Sequence, residues 1–403
     1  MSTLPNQTWQ SQPERSLLDS IRGLGRGGPQ LLKELAAQAD VRLDGHRPWD
    51  IRVHDPAFYD RVLSAGSLGL GESYMDQQWD APALDETFTR LLGGGIEDRL
   101  YGAAGLGLRL RIALLVLRAR LLNLQSQKRA FQVGEQHYDV GNDLYEAMLD
   151  PTMSYSCGYW AEAEDLESAQ RAKLDLICRK LELEPGERVL DIGCGWGGLA
   201  EYIARHYDVQ VVGLTVSREQ AQLARQRCAG LPVDIRLQDY RELDGRFDKI
   251  VSVGMFEHVG RKNDAAFFDT AAQLLKEDGL FLLHTIGTSD VNPVNDPWID
   301  RYIFPNGELP NAERLAQALR PRFVLEDWHA FGPDYDRTLM AWWANVEQAW
   351  PALANAGYDE RFRRMWKYYL HCSAGFFRSR RGHLWQLVLS HPGGRSDTYR
   401  APR

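Results

Sequence analysis

The chain has 403 residues, enough for two domains or for one large domain with a sizeable extension. Its 44% hydrophobic and 25% charged content is that of a soluble globular protein, and a formal net charge of −8 argues against general nucleic-acid binding. The five cysteines, Cys157, Cys178, Cys194, Cys228 and Cys372, form no C-x-x-C pair, and the opening Met-Ser-Thr-Leu-Pro-Asn-Gln lacks a basic-then-apolar leader. Free thiols in a reducing cytoplasm are therefore expected.

Residues 1–15 are polar and are expected to be loose. From Leu17 to about Leu122 there is no strand–helix alternation. Leu31, Leu32 and Leu35 carry a helical spacing, Val41-Arg-Leu and Ile51-Arg-Val alternate as short strands, and the glycines of Ser67-Leu-Gly-Leu-Gly-Glu-Ser-Tyr-Met promise a bend. Residues 1–122 thus read as a separate, smaller, largely helical N-terminal domain, and 123–135 as a polar linker. No run approaches the roughly 20 apolar residues that span a bilayer. The nearest, Ile112 to Leu117, is bracketed by Arg109, Arg111, Arg118 and Arg120, which fall on opposite sides of a helix. A packed interdomain helix with snorkelling arginines and a membrane-surface helix are equally supported there.

Residues 136–403 read as the catalytic domain. It opens with His137-Tyr-Asp-Val-Gly-Asn-Asp-Leu-Tyr, followed by a helix over Leu166 to Leu181 with apolar positions at 166, 169, 174, 177 and 181. Strands are expected at 188–192, 209–215, 233–237, 248–253, 280–285, 323–329 and 384–390, with helices at 198–207, 217–229, 264–277 and 311–319. Such alternation predicts an α/β fold: a seven-stranded, mostly parallel sheet covered on both faces. In the long segment 334–380, Phe362, Met365, Trp366, Tyr369 and Phe376 lie at helical spacing and read as core.

The stretch 188–198 organises this domain. Val189, Leu190 and Ile192 form a buried strand, and glycines then let the backbone turn sharply and a ligand approach. A strand-to-helix turn with outward-facing amides is a cradle for a nucleotide-type cofactor. Gly193, Gly195 and Gly198 satisfy G-x-G-x-x-G, but a dinucleotide site also wants an acid closing the second strand. That strand ends Gly-Leu-Thr-Val-Ser. Asp191 stands two residues before the first glycine instead, and the resulting D-x-G-x-G-x-G through Gly193, Gly195 and Gly197 resembles motif I of the S-adenosylmethionine-dependent methyltransferases. At the strand ends Thr215, Ser217 and Gln220 are candidates for the ribose, and Asp239 and Tyr240 for the adenine. Ser217 and Gln220 also fit a helix capping box, an equally good reading.

Five further motifs are more specific: Tyr155-Ser-Cys-Gly-Tyr-Trp160, Gly254-Met-Phe-Glu-His-Val-Gly260, Leu283-His-Thr-Ile-Gly287, Tyr302-Ile-Phe-Pro-Asn-Gly307 and Asp334-Tyr-Asp-Arg-Thr-Leu-Met-Ala-Trp342. Together they resemble the cyclopropane fatty acid and mycolic acid cyclopropane synthase family over about residues 135–390. Gly69-Leu-Gly-Glu-Ser-Tyr-Met-Asp76 is similar to its phospholipid-acting branch. The resemblance implies a class I methyltransferase fold and transfer of a methylene group from S-adenosylmethionine to the cis double bond of an unsaturated phospholipid acyl chain. It also implies a bound bicarbonate ion as base, held by Cys157, Glu257, His284, Tyr335 and the backbone amide of Ile286, with Tyr155 and Ser156 covering the cofactor. Faces of Tyr159, Trp160, Tyr302 and Phe304 are expected to stabilise passing positive charge. Peripheral contact with the inner membrane from the cytoplasmic side is implied too, with room for a homodimer, no nucleic-acid partner and no metal.

Taken singly, Cys157 reads as a packed thiol, Glu257 as half of a surface pair, His284 as a satisfied core histidine and Tyr335 as a structural hydroxyl. It is their joint presence in matching motifs that favours function. His258, His329 and His371 have no such support and are read as structural. Three other readings compete: methylation of a lipid chain without ring closure, a small-molecule methyltransferase, and a lipid-binding scaffold with a decayed pocket. The intact Asp191 turn argues against decay.

Overall fold

The computed structural model describes residues 28–95, 141–290, 295–320 and 322–403. The opening segment, the basic stretch 101–122, the linker 123–135 and the start of the His137 motif lie outside the described residues.

Four short helices come first: α1 (Gly28–Gln38), α2 (Ala57–Ala65), α3 (Ser67–Met75) and α4 (Leu84–Gly93). A two-residue antiparallel ladder, Arg52–Val53 with Trp79–Asp80, closes the loop between them. The expected strand at Val41–Leu43 shrinks to one bridge, Leu43 with Ile51. Its neighbour Arg42 gives its amide to the buried carboxylate of Asp50 instead of to a ladder. The expected bend at Ser67–Met75 is a helix, α3. Its glycines serve close packing: a side chain at Gly69 would run into the Arg61 carbonyl on α2, and one at Gly71 into the indole of Trp298.

The next helices are α5 (Asn142–Met148) and α6 (Leu166–Leu181), the latter with the predicted bounds. The sheet follows: β1 (Arg188–Ile192), β2 (Gln210–Thr215), β3 (Val233–Leu237), β4 (Phe247–Val253), β5 (Leu275–Thr288), β6 (Val324–Ala330) and β7 (Gly382–Ser390). Their order across the sheet is β3-β2-β1-β4-β5-β7-β6, with only β7 antiparallel to its neighbours. Helices α7 (Gly198–His206), α8 (Arg218–Arg227), α9 (Asp264–Leu274), α10 (Pro297–Tyr302) and α11 (Ala312–Leu319) lie along the connections. Helix α9 stops three residues before the expected 277, because Leu275 already pairs with Phe247 and a register shift beyond it accommodates the extra residues.

The long segment before β7 is two helices, α12 (Pro333–Asn355) and α13 (Glu360–Arg378); of the residues expected in the core, Trp366 and Tyr369 are buried, while Phe362, Met365 and Phe376 are partly buried against them. The N-terminal helices pack on α13. Tyr368 of α13 meets Trp298 at 4.4 Å, Phe88 at 4.9 Å and Tyr74 at 5.7 Å between ring centroids. Arg378 ties α4 to α12 through Asp85 (2.7 Å) and Asp336 (2.8 Å). One apolar cluster therefore runs from the N-terminal helices to the strand ends.

The packing role of Gly71 has a test of unusual sign. A glycine in a helix interior normally gains about 1 kcal/mol on conversion to alanine. Here the new methyl group would overpack the fully buried Trp298, at a cost of about 1–3 kcal/mol. Gly71→Ala should lower the urea midpoint; an unchanged or raised midpoint would show that the close contact is not under constraint.

Candidate active site

A cavity of about 230 Å³ opens at the carboxyl ends of β1 to β4, where an open α/β sheet binds its ligand. Its floor is the glycine turn. Gly193 and Gly195 have φ of 87° and 55°, and a side chain on Gly195 would enter open space. The turn's amides do not all face outward as expected. Those of Gly193 and Cys194 donate to the Leu214 carbonyl at 3.0 and 2.8 Å, which ties the turn to β2. Gly197 is absent from the lining; it faces Ala224 of α8 and acts as a packing residue.

Every other residue assigned to the cofactor lines this cavity: Tyr155, Ser156, Asp191, Gly193, Gly195, Thr215, Ser217, Gln220, Asp239 and Tyr240. Asp191 is buried with Oδ2 unpartnered, and burial pushes its carboxyl up to about 7, against the pull of Lys173. Thr215 donates to Gln220 Oε1 at 2.9 Å and accepts the Ser217 amide at 3.1 Å. Only half of the expected capping box forms: Ser217 accepts the Gln220 amide, but the Gln220 side chain goes to Thr215. Asp239 is held by Arg241, which donates to Oδ1 from its amide and Nε and to Oδ2 from a terminal nitrogen at 2.6 Å. Oδ2 keeps a lone pair for another donor. The hydroxyl of Tyr155, which lines the cavity, shares a 2.8 Å hydrogen bond with that of Tyr369.

The anion candidates gather beside it. Glu257 is buried on the turn after β4, and its Oε1 accepts the Ile286 amide at 2.6 Å. That amide, expected to face the anion, is thus engaged by the carboxylate. Oε2 of Glu257 is buried without a partner, and burial raises the carboxyl to about 7. His284, two residues before Ile286 on β5, is buried with Nε2 unpartnered, and desolvation holds its pKa well below the usual histidine value. Desolvation raises the Tyr335 phenol far above its ordinary value, and nearby Cys157 and Glu257 push it in the same direction. Burial likewise keeps Cys157 a neutral thiol, which donates to the Gly158 carbonyl at 3.2 Å.

Two expected cation-stabilising faces are taken. The Arg337 guanidinium lies 4.4 Å from the Trp160 ring centre, and that of Arg301 lies 5.5 Å from Tyr302. Trp160 also donates to Thr338, and Tyr302 to Glu72 at 2.9 Å. Phe304 stands edge-on to Tyr369, and Tyr159 to Phe331.

Some of the site is not named by the sequence motifs. Lys173 lines the cavity and donates to Ser156 Oγ at 3.0 Å; burial lowers it to about 8. Gln170, one turn earlier, donates to the Ser156 carbonyl at 2.7 Å. Both are polar residues on the apolar stripe of α6, which is the signal that marks them. His258, read as structural, lines the cavity. Gln386 on β7 contacts His284.

A family model described as mycolic acid cyclopropane synthetase matches residues 125–387. The cyclopropane-fatty-acyl-phospholipid synthase of Escherichia coli (strain K12) is 55% identical over 361 residues, covering 90% of this chain and 93% of that protein. Among solved structures, the cyclopropane synthase MmaA2 from Mycobacterium tuberculosis superimposes with a TM-score of 0.60 at 33% identity, over 66% of this chain and 99% of its own. The mycolic acid cyclopropane synthase CmaA1 complexed with SAH and CTAB gives 0.60 at 33% identity, over 64% and 97%.

The burial of Asp191 has a measurable consequence. Its folded pKa, about 7, lies above the ordinary 3.8. Stability from this group is therefore complete below the lower value and lost as pH rises through the higher one. Between these limits the wild type should lose up to a few kcal/mol that Asp191→Asn does not lose. Urea unfolding of both proteins across this range reads the difference, and parallel curves would contradict the desolvation.

Proposed function

The chain belongs to the mycolic acid cyclopropane synthetase family, and from that premise we propose that it transfers a methylene group from S-adenosylmethionine to the cis double bond of unsaturated phospholipid acyl chains, closing a cyclopropane ring. The phospholipid substrate is supported by the Escherichia coli relative, whose match takes in 90% of this chain. In the structure, the observation that carries the chemistry is the pair of buried, unpartnered atoms, Glu257 Oε2 and His284 Nε2, beside the cofactor cavity.

The cavity fits S-adenosylmethionine, which supplies an electrophilic methyl group when bound: Asp191 Oδ2 lacks a partner, Gly195 leaves open space, and Tyr240 offers an apolar wall. An alkene is a weak nucleophile, so the chain's task is to hold it in line and keep water out. The aromatic side chains of Tyr145, Tyr155 and Trp342, in edge or tilted contact at about 5.2 Å, provide that dry wall. Once methylated, the acyl chain is positively charged and closes its ring by losing a proton. We assign the base to a bicarbonate ion held by Cys157, His284 and Tyr335, with Glu257 orienting it and taking its proton onward. A carboxyl with a pKa of about 7 can accept and release a proton near neutrality.

Work at a bilayer surface is part of the same reading. We assign residues 1–122 a peripheral, lipid-meeting role at the cytoplasmic face of the inner membrane, as the phospholipid-acting resemblance implies; among the described residues no helix is long and apolar enough to cross a membrane. Association as a homodimer would use an open sheet edge such as β6, where Val324 and Leu325 are each 43% exposed.

Incubation with S-adenosylmethionine and unsaturated phospholipid vesicles should yield acyl chains one carbon heavier that resist mild hydrogenation. Chains that take up hydrogen would mean methylation without ring closure. At fixed pH the rate should rise with added bicarbonate, and Glu257→Ala should lose about 100-fold in turnover while still binding cofactor. Because Glu257 accepts the proton as a carboxylate, the wild-type rate should fall as pH drops through about 7. A flat bicarbonate response would remove the anion role of Cys157, Glu257, His284 and Tyr335.

A further inference from the structure

The imidazole of His284 is the one candidate in the anion chamber whose role depends on which of its atoms carries the proton. A neutral imidazole has a single N–H, so one ring nitrogen donates and the other accepts, and whatever bonds to one nitrogen decides the job of the other. His284 is surrounded by groups that oppose a second proton: it is buried, and Lys173, Lys180 and His329 all act on it in that direction. The ring is therefore neutral, and its tautomer is a matter of neighbours.

Its neighbour is set by the sheet. His284 on β5 stands directly opposite Gln386 on the antiparallel strand β7, and Gln386 stands opposite His329 on β6. Side chains opposite one another on adjacent strands share a face and touch. Gln386 is fully buried, and its Nε2 lies 3.2 Å from His284 Nδ1. Beyond it, His329 offers Nδ1 to the Lys180 ammonium at 3.2 Å, a group that can only donate. The far nitrogen of the His284 ring, Nε2, is buried without a partner, two residues from the Ile286 amide that binds Glu257. Phe331 packs at 5.8 Å against the ring in an edge contact, which limits its rotation.

We propose that Gln386 is a positioning residue: its amide N–H donates to Nδ1 of His284, fixes the proton on Nε2, and thereby makes His284 a hydrogen-bond donor in the chamber and not a proton acceptor. An Nε2–H is what an oxyanion needs as a partner, and a histidine held this way cannot take the proton of ring closure in place of the anion. The tautomer rests on the amide orientation, which leaves Gln386 Oε1 buried without a partner; its use toward bicarbonate rests on the proposed function. With the amide turned over, Nδ1 would carry the proton and Nε2 would be a base, so the two orientations assign opposite chemistry to one histidine.

The deciding measurement is the nitrogen NMR spectrum of the full-length protein labelled with 15N-histidine, in which the His284 signals are those lost in His284→Ala. Without bicarbonate or substrate, the wild type should show Nδ1 unprotonated and Nε2 protonated; a protonated Nδ1 would overturn the proposal. Gln386→Glu replaces the donor by a carboxylate that, once ionised, can only accept. At the alkaline end of the range in which this variant stays folded, its His284 should carry a proton on Nδ1, and a lone proton persisting on Nε2 would show that residue 386 does not control the tautomer. Gln386→Met keeps the volume without a donor, and it should raise the bicarbonate concentration for half-maximal rate by about ten-fold, the scale of one buried hydrogen bond. Its affinity for S-adenosylmethionine, read by calorimetry, should be unchanged. A loss of cofactor affinity in step with the rate would point to a structural role alone and overturn the assignment. If the wild-type rate ignores bicarbonate, the anion reading falls while the spectrum still decides the tautomer.

Discussion

Removal of water from a few polar groups is the constraint on which the rest of this structure depends. Asp191, Cys157, Glu257, His284 and Tyr335 are all buried at the carboxyl end of one sheet, and in each case desolvation is the largest influence on the proton it holds. A buried charge without a partner is costly, so each group is pushed toward its neutral form. A fold that tolerates this must offset the burden with apolar packing elsewhere. The aromatic cluster around Trp342, Trp366, Tyr368 and Tyr369 on α12 and α13, joined to Trp79 and Phe88 of the N-terminal segment, supplies that packing.

The N-terminal helices are thus tied to the chemistry through their contacts. Glu72 of α3 accepts the hydroxyl of Tyr302, and Gly71 admits the Trp298 indole of α10. The chain then runs three residues from Tyr302 to Pro305 and Asn306, which line the cofactor cavity. Arg364 of α13 reaches back to the Trp79 carbonyl and to Asp80. These contacts set where one wall of the cavity stands.

Much of this was legible from sequence because it depends on local pattern. The strands β1 and β3 have the bounds their apolar runs predict, and α6 has the bounds of its stripe. The glycine turn could be read because its chemistry lies within eight residues. What escaped was set by partners far along the chain. The glycines of α3 look like a bend until the Arg61 carbonyl and the Trp298 indole are in place. Trp160 looks like a free aromatic face until Arg337 lies over it. Gln386 is an ordinary strand residue until β7 is found antiparallel to β5, with Gln386 facing His284. Lys173 and Gln170 were visible as polar residues on an apolar stripe, but only the fold shows that the stripe faces Ser156.

Burial also bears on the proposed reaction, because it leaves Cys157, His284 and Tyr335 reluctant to ionise. A cation on a hydrocarbon chain is trapped by any nearby nucleophile, and a thiolate, a phenolate or a free carboxylate would each form a bond to it. Burial keeps the Cys157 thiol and the Tyr335 phenol protonated and the His284 ring uncharged. Glu257 has Oε1 fixed by the Ile286 amide and a pKa near neutrality, so its negative charge is both held in place and intermittent. In the proposed reaction, the same dryness that lets a weak alkene react would also disarm side chains that could trap the cation.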